Sequence, residues 1–131
     1  MSRLDIYIDG ASRGNPGSAS IGVVVCQGEQ VLRNISRLIG TATNNVAEYS
    51  ALICALQEAR TLKVADLRVY TDSELLYKQI NGKYKVRHAN IKPLYEQAVE
   101  MLKYFNSVEV LHIRRENNSG ADKLANQAFR K

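Results

Sequence analysis

The chain has 131 residues, 45% of them hydrophobic and 24% charged, with 18 Lys and Arg against 13 Asp and Glu and only two cysteines. That length suits one domain spanning residues 1–131 with its own core, and the composition excludes a disordered, collagen-like or disulfide-scaffold chain. No apolar run approaches the roughly 18 residues of a membrane span and no apolar h-region of an export signal follows Met1, so the expectation is a cytoplasmic, monomeric protein away from the membrane whose charge of +5 suits an anionic partner.

Residues 3–9 alternate Leu4, Ile6 and Ile8 with Asp5, Tyr7 and Asp9, a strand pattern. Residues 10–17, rich in Gly with Asn15 and Pro16, read as a loop. Residues 19–26 and about 30–39 are rich in Val, Ile and Leu, and Gln27-Gly28-Glu29 reads as the turn between them. The period then changes. Tyr49, Leu52, Ile53 and Leu56 fall at i, i+3, i+4 and i+7, one face of a helix that Thr43 or Asn44 can cap and that runs to about Thr61. Residues 66–71 read as a strand, and Asp72-Ser73 opens a helix that stops near Asn81-Gly82. A helix over about 91–104, a strand around Val108, Val110 and Ile113, and a last helix from about Gly120 to the C-terminus complete the order βββαβααβα. Right-handed crossovers make the two later strands parallel to the first. The expected fold is therefore α/β: a mixed five-stranded sheet, an antiparallel meander plus two parallel strands, with helices on both faces. Cys26 and Cys54 lie in apolar runs and read as small buried residues.

Four carboxylates fall where such a sheet gathers its sites, at the carboxyl ends of strands and the starts of helices. Asp9 ends the first strand, Asp72 ends the fourth, Glu48 lies in the first turns of the first helix, and Asp122 starts the last. Each has a plain structural reading as a turn residue, a cap or an acid favoured by a helix dipole. Together they form an acidic cluster in a basic protein, which is costly unless a cation neutralises it. Oxygen-only ligands suit Mg²⁺ or Mn²⁺. Ser12, Ser50 and Ser73 show no His–Asp partnership for nucleophilic catalysis. Between Glu74 and Glu96 there is no acid, while Lys78, Lys83, Lys85, Arg87 and Lys92 are interleaved with tyrosines, which is either a solvated basic face or a phosphate-tracking one.

The stretches Tyr7-Ile8-Asp9-Gly10-Ala11-Ser12-Arg13-Gly14-Asn15-Pro16-Gly17, Thr43-Asn44-Asn45-Val46-Ala47-Glu48, Tyr70-Thr71-Asp72-Ser73 and Asn118-Ser119-Gly120-Ala121-Asp122 resemble, in order and over nearly the whole chain, the ribonuclease HI family with its RNase H-like fold. The resemblance implies an endoribonuclease that hydrolyses the RNA strand of an RNA/DNA hybrid to 5′-phosphate and 3′-hydroxyl ends. It implies two Mg²⁺ (or Mn²⁺) ions, with Asp9 bridging both, Glu48 and Asp72 holding one, and Asp122 the other. One metal would activate the attacking water and the other would stabilise the leaving oxygen. Gly10, Ala11, Arg13, Gly14 and Asn15 would approach the RNA strand, Asn44 and Asn45 would bond sugar and base-edge groups, and Thr43 would meet a DNA phosphate.

Two departures mark a compact type. The segment before Asp122 has no active-site loop His, leaving Arg115 or Glu116 for the auxiliary role; His112 reads as structural and His88 as a surface residue. The long basic protrusion of some members is replaced by a short segment keeping Lys83 and Lys85 for substrate binding. Two other readings stay open: a nuclease of the same fold that also cuts double-stranded RNA, and a weakly active nucleic-acid-binding member.

Overall fold

A computed structural model describes residues 3–130. Strands β1 (Leu4–Gly14), β2 (Gly17–Gln27) and β3 (Gln30–Ala42) form the meander. Helix α1 (Asn44–Thr61), strand β4 (Asp66–Thr71), helices α2 (Glu74–Ile80) and α3 (Lys92–Leu102), strand β5 (Ser107–His112) and helix α4 (Ser119–Gln127) follow. The sheet order is β3-β2-β1-β4-β5, with β1 antiparallel to β2 and parallel to β4, and β4 parallel to β5. The expected mixed sheet and element order are therefore present.

The main core lies between the sheet and α1. Leu4, Ile6 and Ile8 of β1, Ile21, Val23 and Val25 of β2 and Leu52 and Leu56 of α1 are all buried there, where apolar area removed from water is the main stabilising term. The Thr43 hydroxyl caps α1 by accepting from the Val46 N–H at 3.2 Å, and Ser73 does the same for α2 through Leu76. Helix α4 covers the opposite face. There the Ser20 hydroxyl donates to the Ala125 carbonyl, and a side chain at Gly22 would overlap the Ala121 carbonyl. Gly22→Ala is expected to cost about 1–3 kcal/mol, because the obstacle is backbone rather than a side chain that can rotate away. Urea denaturation reads this directly, and an unshifted midpoint would show that α4 is not seated so closely.

Three expectations need correction. Residues 10–17 are not a loop: β1 continues to Gly14 and pairs with β2 as far as Gly14↔Gly17, leaving only Asn15 and Pro16 in the turn. Glycine and serine depress strand propensity, but the ladder to β2 satisfies their backbone, and Gly14 takes a φ of 103° to close the hairpin. The last helix breaks into a single 3₁₀ turn at Ala128–Arg130. Cys26 is only half-buried, because it lies on the sheet face that α4 incompletely covers, whereas Cys54 is buried in the core.

Strand β1 changes its surroundings midway. Its pairing with β4 runs from Leu4↔Leu67 to Ile8↔Thr71 and ends there, while its pairing with β2 runs on. From Asp9 onward one edge of β1 is free.

Candidate active site

The site forms at that free edge. Asp9 is the first residue past the last β1–β4 pair, and its side chain is buried, with only 6% of the residue exposed. Asp72 follows the last residue of β4. Glu48 reaches the same point from the second turn of α1, because Gly10 lacks a side chain and lets the Ala47–Glu48 backbone close on β1. Carboxylate oxygens of Asp9, Glu48 and Asp72 lie within 4.8 Å of one another. Asp122, in the first turn of α4, is outside that trio but lines the same cleft, close enough for its charge to act on Asp9.

This crowding shifts the acids. Burial pushes the Asp9 carboxyl up to about 8, assisted by the charges of Asp72 and Asp122, with Arg115 opposing. Burial, then Asp9 and Asp72, raise Glu48 well above the usual carboxylate range, although the Gly10 N–H donates to it and lowers it in part. The Glu48 Oε2 atom is buried with no hydrogen-bond partner. A buried acceptor left unpaired among carboxylates is unfavourable unless a cation completes it. All the donors are hard oxygens, so the residues fit a divalent ion of the Mg²⁺ or Mn²⁺ type.

The other expected residues separate into distinct places. Gly10 and Ala11 line the acidic cleft, as do Asn44, Arg115, Ser12 and Asn126. The Asn44 side chain braces the hairpin, its Oδ1 accepting from the Ser12 N–H at 2.9 Å, while the Asn44 N–H donates to Asn15 Oδ1 at 3.1 Å. Asn15, Thr43 and Asn45 line a second recess together with His88. Lys83 and Lys85 border a third with Tyr84 and Arg87, away from the acids. Arg13 is exposed on the hairpin. The two auxiliary candidates divide clearly. Arg115 Nη2 lies 3.9 Å from Asp122 Oδ1 and lines the cleft. Glu116 lies 3.9 Å from Arg114 and does not line it. His112 ends β5 and stacks on Tyr77 at 5.7 Å, while His88 is exposed.

Residues 7–128 match the family model described as reverse transcriptase-like. The chain belongs to this family, that of the ribonuclease H-like domains. A bifunctional protein of Mycobacterium tuberculosis is 42% identical over 129 residues, covering 97% of this chain and 35% of its own length. The RNase H1 of the halophilic archaeon Halobacterium salinarum has a crystal structure that superposes with a TM-score of 0.95 at 38% identity, over 98% of each chain. An RNase H1 named LC11, crystallised in complex with an RNA/DNA hybrid, superposes with a TM-score of 0.92 at 39% identity, over 97% of this chain and 96% of that one. The ribonuclease H-like chain thus spans about a third of the mycobacterial relative, and 64% of the Halobacterium ribonuclease HI sequence. Among the described residues no helix is long and apolar enough to cross a membrane.

One residue of this ribonuclease H-like site was missed in the sequence. Asn118 is 1% exposed and its Nδ2 donates to the Ile8 carbonyl at 2.8 Å and to Asp72 Oδ2 at 3.3 Å. It therefore ties the last paired residue of β1 to an acid at the end of β4. Its position four residues before Asp122 was visible, but an Asn preceding a helix reads as a cap. It caps nothing with its side chain. Asn118→Ala is expected to cost about 1–3 kcal/mol in stability through the orphaned carbonyl, and to weaken divalent-ion affinity by about 10- to 100-fold through the loosened Asp72. Calorimetric titration with Mn²⁺ beside a melting curve measures both, and unchanged affinity would remove Asn118 from the site.

Proposed function

We propose that this chain is a divalent-metal-dependent endoribonuclease that hydrolyses the RNA strand of RNA/DNA hybrids to 5′-phosphate and 3′-hydroxyl ends. The observation that carries this reading is the trio of carboxylates within 4.8 Å that leaves Glu48 Oε2 buried and unpaired. The divalent-metal dependence of the ribonuclease H family and the hybrid-bound LC11 relative support it.

Two Mg²⁺ or Mn²⁺ ions would be held by Asp9, Glu48, Asp72 and Asp122. Bound there, they supply Lewis acidity for the attacking water and neutralise charge at the leaving oxygen. The protein's own groups do the rest. Asn118 orients Asp72. Arg115, beside Asp122, places a cation on the cleft wall where a phosphate gathers negative charge. The free edge of β1 and the side chain of Asn44 offer polar groups to a ribose, so that discrimination rests on the 2′-hydroxyl rather than on base sequence. Thr43 would meet a phosphate of the DNA strand, Asn45 sugar and base-edge groups and Asn15 the RNA strand, and Lys83 and Lys85 would add screened attraction at longer range. The double variant Lys83→Ala/Lys85→Ala is expected to raise KM and to flatten its dependence on salt by roughly two phosphate contacts. Equal salt slopes would exclude the pair from the hybrid interface.

The deciding experiment is cleavage of end-labelled RNA that is single-stranded, paired with RNA, or paired with DNA, each with Mg²⁺ or Mn²⁺. Cutting confined to the hybrid supports the proposal. Cutting of both duplexes replaces it with the broader nuclease, and hybrid binding without cutting replaces it with the binding module.

A further inference from the structure

Arg13 is one of two arginines among the described residues that lie over an aromatic ring, the other being Arg60 over Tyr104. Arg33, Arg68, Arg114 and Arg115 each lie within 4.0 Å of a carboxylate oxygen. Arg13 forms no ion pair among the described residues. Its guanidinium carbon instead lies 4.3 Å from the centre of the Phe129 ring, in the 3₁₀ turn that follows α4. Phe129 is half-buried and sits beside buried Ala128, so the ring is anchored while Arg13 is exposed.

A guanidinium held over a ring rather than in an ion pair has its N–H donors available for a phosphate oxygen. Stacking also removes rotamers that a free arginine loses on binding. The direction of the side chain follows from the strand. Asp9, Ala11 and Arg13 alternate onto one face of β1, the face that α4 covers. Four residues of strand at about 3.3 Å each put the Arg13 backbone roughly 13 Å from that of Asp9. That is about four steps of 3.4 Å along the axis of a duplex. A duplex seated on the acids with its axis along β1 would therefore reach the anchored cation.

We infer that Phe129 is a positioning residue for substrate binding: it holds Arg13 ready for a backbone phosphate of the hybrid, several nucleotides from the cut. The inference rests on the hybrid-cleaving reading above and adds to it a role for the C-terminal turn.

The test is a double-mutant cycle read in KM, kcat and the salt dependence of KM, on a labelled hybrid with Mg²⁺. Phe129→Leu keeps an apolar side chain but removes the ring. Its KM should rise about two- to five-fold, the equivalent of an exposed cation–π contact, with kcat within about twofold of the parent. Phe129→Tyr keeps the ring and should restore the parent KM. Arg13→Ala should raise KM and lower the salt slope by about one contact. In the Arg13→Ala background, Phe129→Leu should add nothing. A parent-like KM for Phe129→Leu, or an equal rise with Arg13 absent, overturns the positioning role alone. A parent-like KM for Arg13→Ala removes the phosphate contact and the inference with it. A parent chain that cuts no hybrid overturns the functional reading instead, a result the three-substrate assay identifies before any variant is made.

Discussion

Asp72→Asn is expected to lower metal-dependent hybrid cleavage by at least about a thousandfold, while the metal-free variant melts at a higher temperature than the parent. Both effects come from one charge. The Asp72 carboxylate stands with Asp9 and Glu48 in the 4.8 Å trio and is among the causes that raise both of their pKa values. Removing it deletes a metal ligand and also one arm of a like-charge cluster. A gain of about 1 kcal/mol would move the midpoint of a chain this size by roughly 3–5 °C. Added Mg²⁺ should stabilise the parent more than the variant and narrow or reverse the difference, because only the parent binds the ion well. Cleavage at the parent rate would sink the metal assignment. A variant less stable than the parent in EDTA would sink the argument from repulsion.

The second large effect is on pH. Without divalent ions, stability should fall as pH rises from about 5 to 8. Asp9 titrates at about 8 in the folded chain against an ordinary 3.8, and Glu48 is raised in the same direction. Between those values the folded state binds more protons than the unfolded one, so each step up in pH favours unfolding. The stability held by the protonated acids is complete below about 4 and is lost as pH climbs through the folded value near 8. The loss is on the order of a few kcal/mol. Glu74 acts with the opposite sign and at lower pH, since Lys78 at 2.7 Å holds its carboxyl below the usual range; starting at pH 5 keeps it out of the window. Urea titrations at pH 5, 6.5 and 8 in EDTA give the slope, and saturating Mg²⁺ should flatten it. A metal-free chain equally stable at pH 5 and pH 8 would mean that the acids are hydrated and far apart.

The alternation of Leu4, Ile6 and Ile8 and the helical spacing of Tyr49, Leu52, Ile53 and Leu56 were readable because each places one apolar face on one core. The four acids were readable because topology sends strand ends and helix starts to a common edge. The hairpin was not. Residues 10–14 carry little apolar signal, and what keeps them extended is a ladder to β2 that local composition does not encode. Asn118 escaped for a related reason: its partners, the Ile8 carbonyl and Asp72, are 110 and 46 residues away in sequence. The separation of Arg115 from Glu116 depends on which side of the 3₁₀ turn Arg115–Asn117 faces the cleft, and two adjacent charged residues give no hint of that.

The early end of β4 has a consequence of its own. At Ile8 the sheet forks: β1 goes on with β2 while β4 stops at Thr71. A sixth rung between β1 and β4 would occupy the edge where Glu48 meets the Gly10 amide and where Ser12 reaches Asn44. The cleft is thus an interruption of backbone pairing rather than a hollow carved in the core, and lengthening one strand by a residue or two would zip it shut. In this fold the length of β4 therefore sets whether the acids have an open edge.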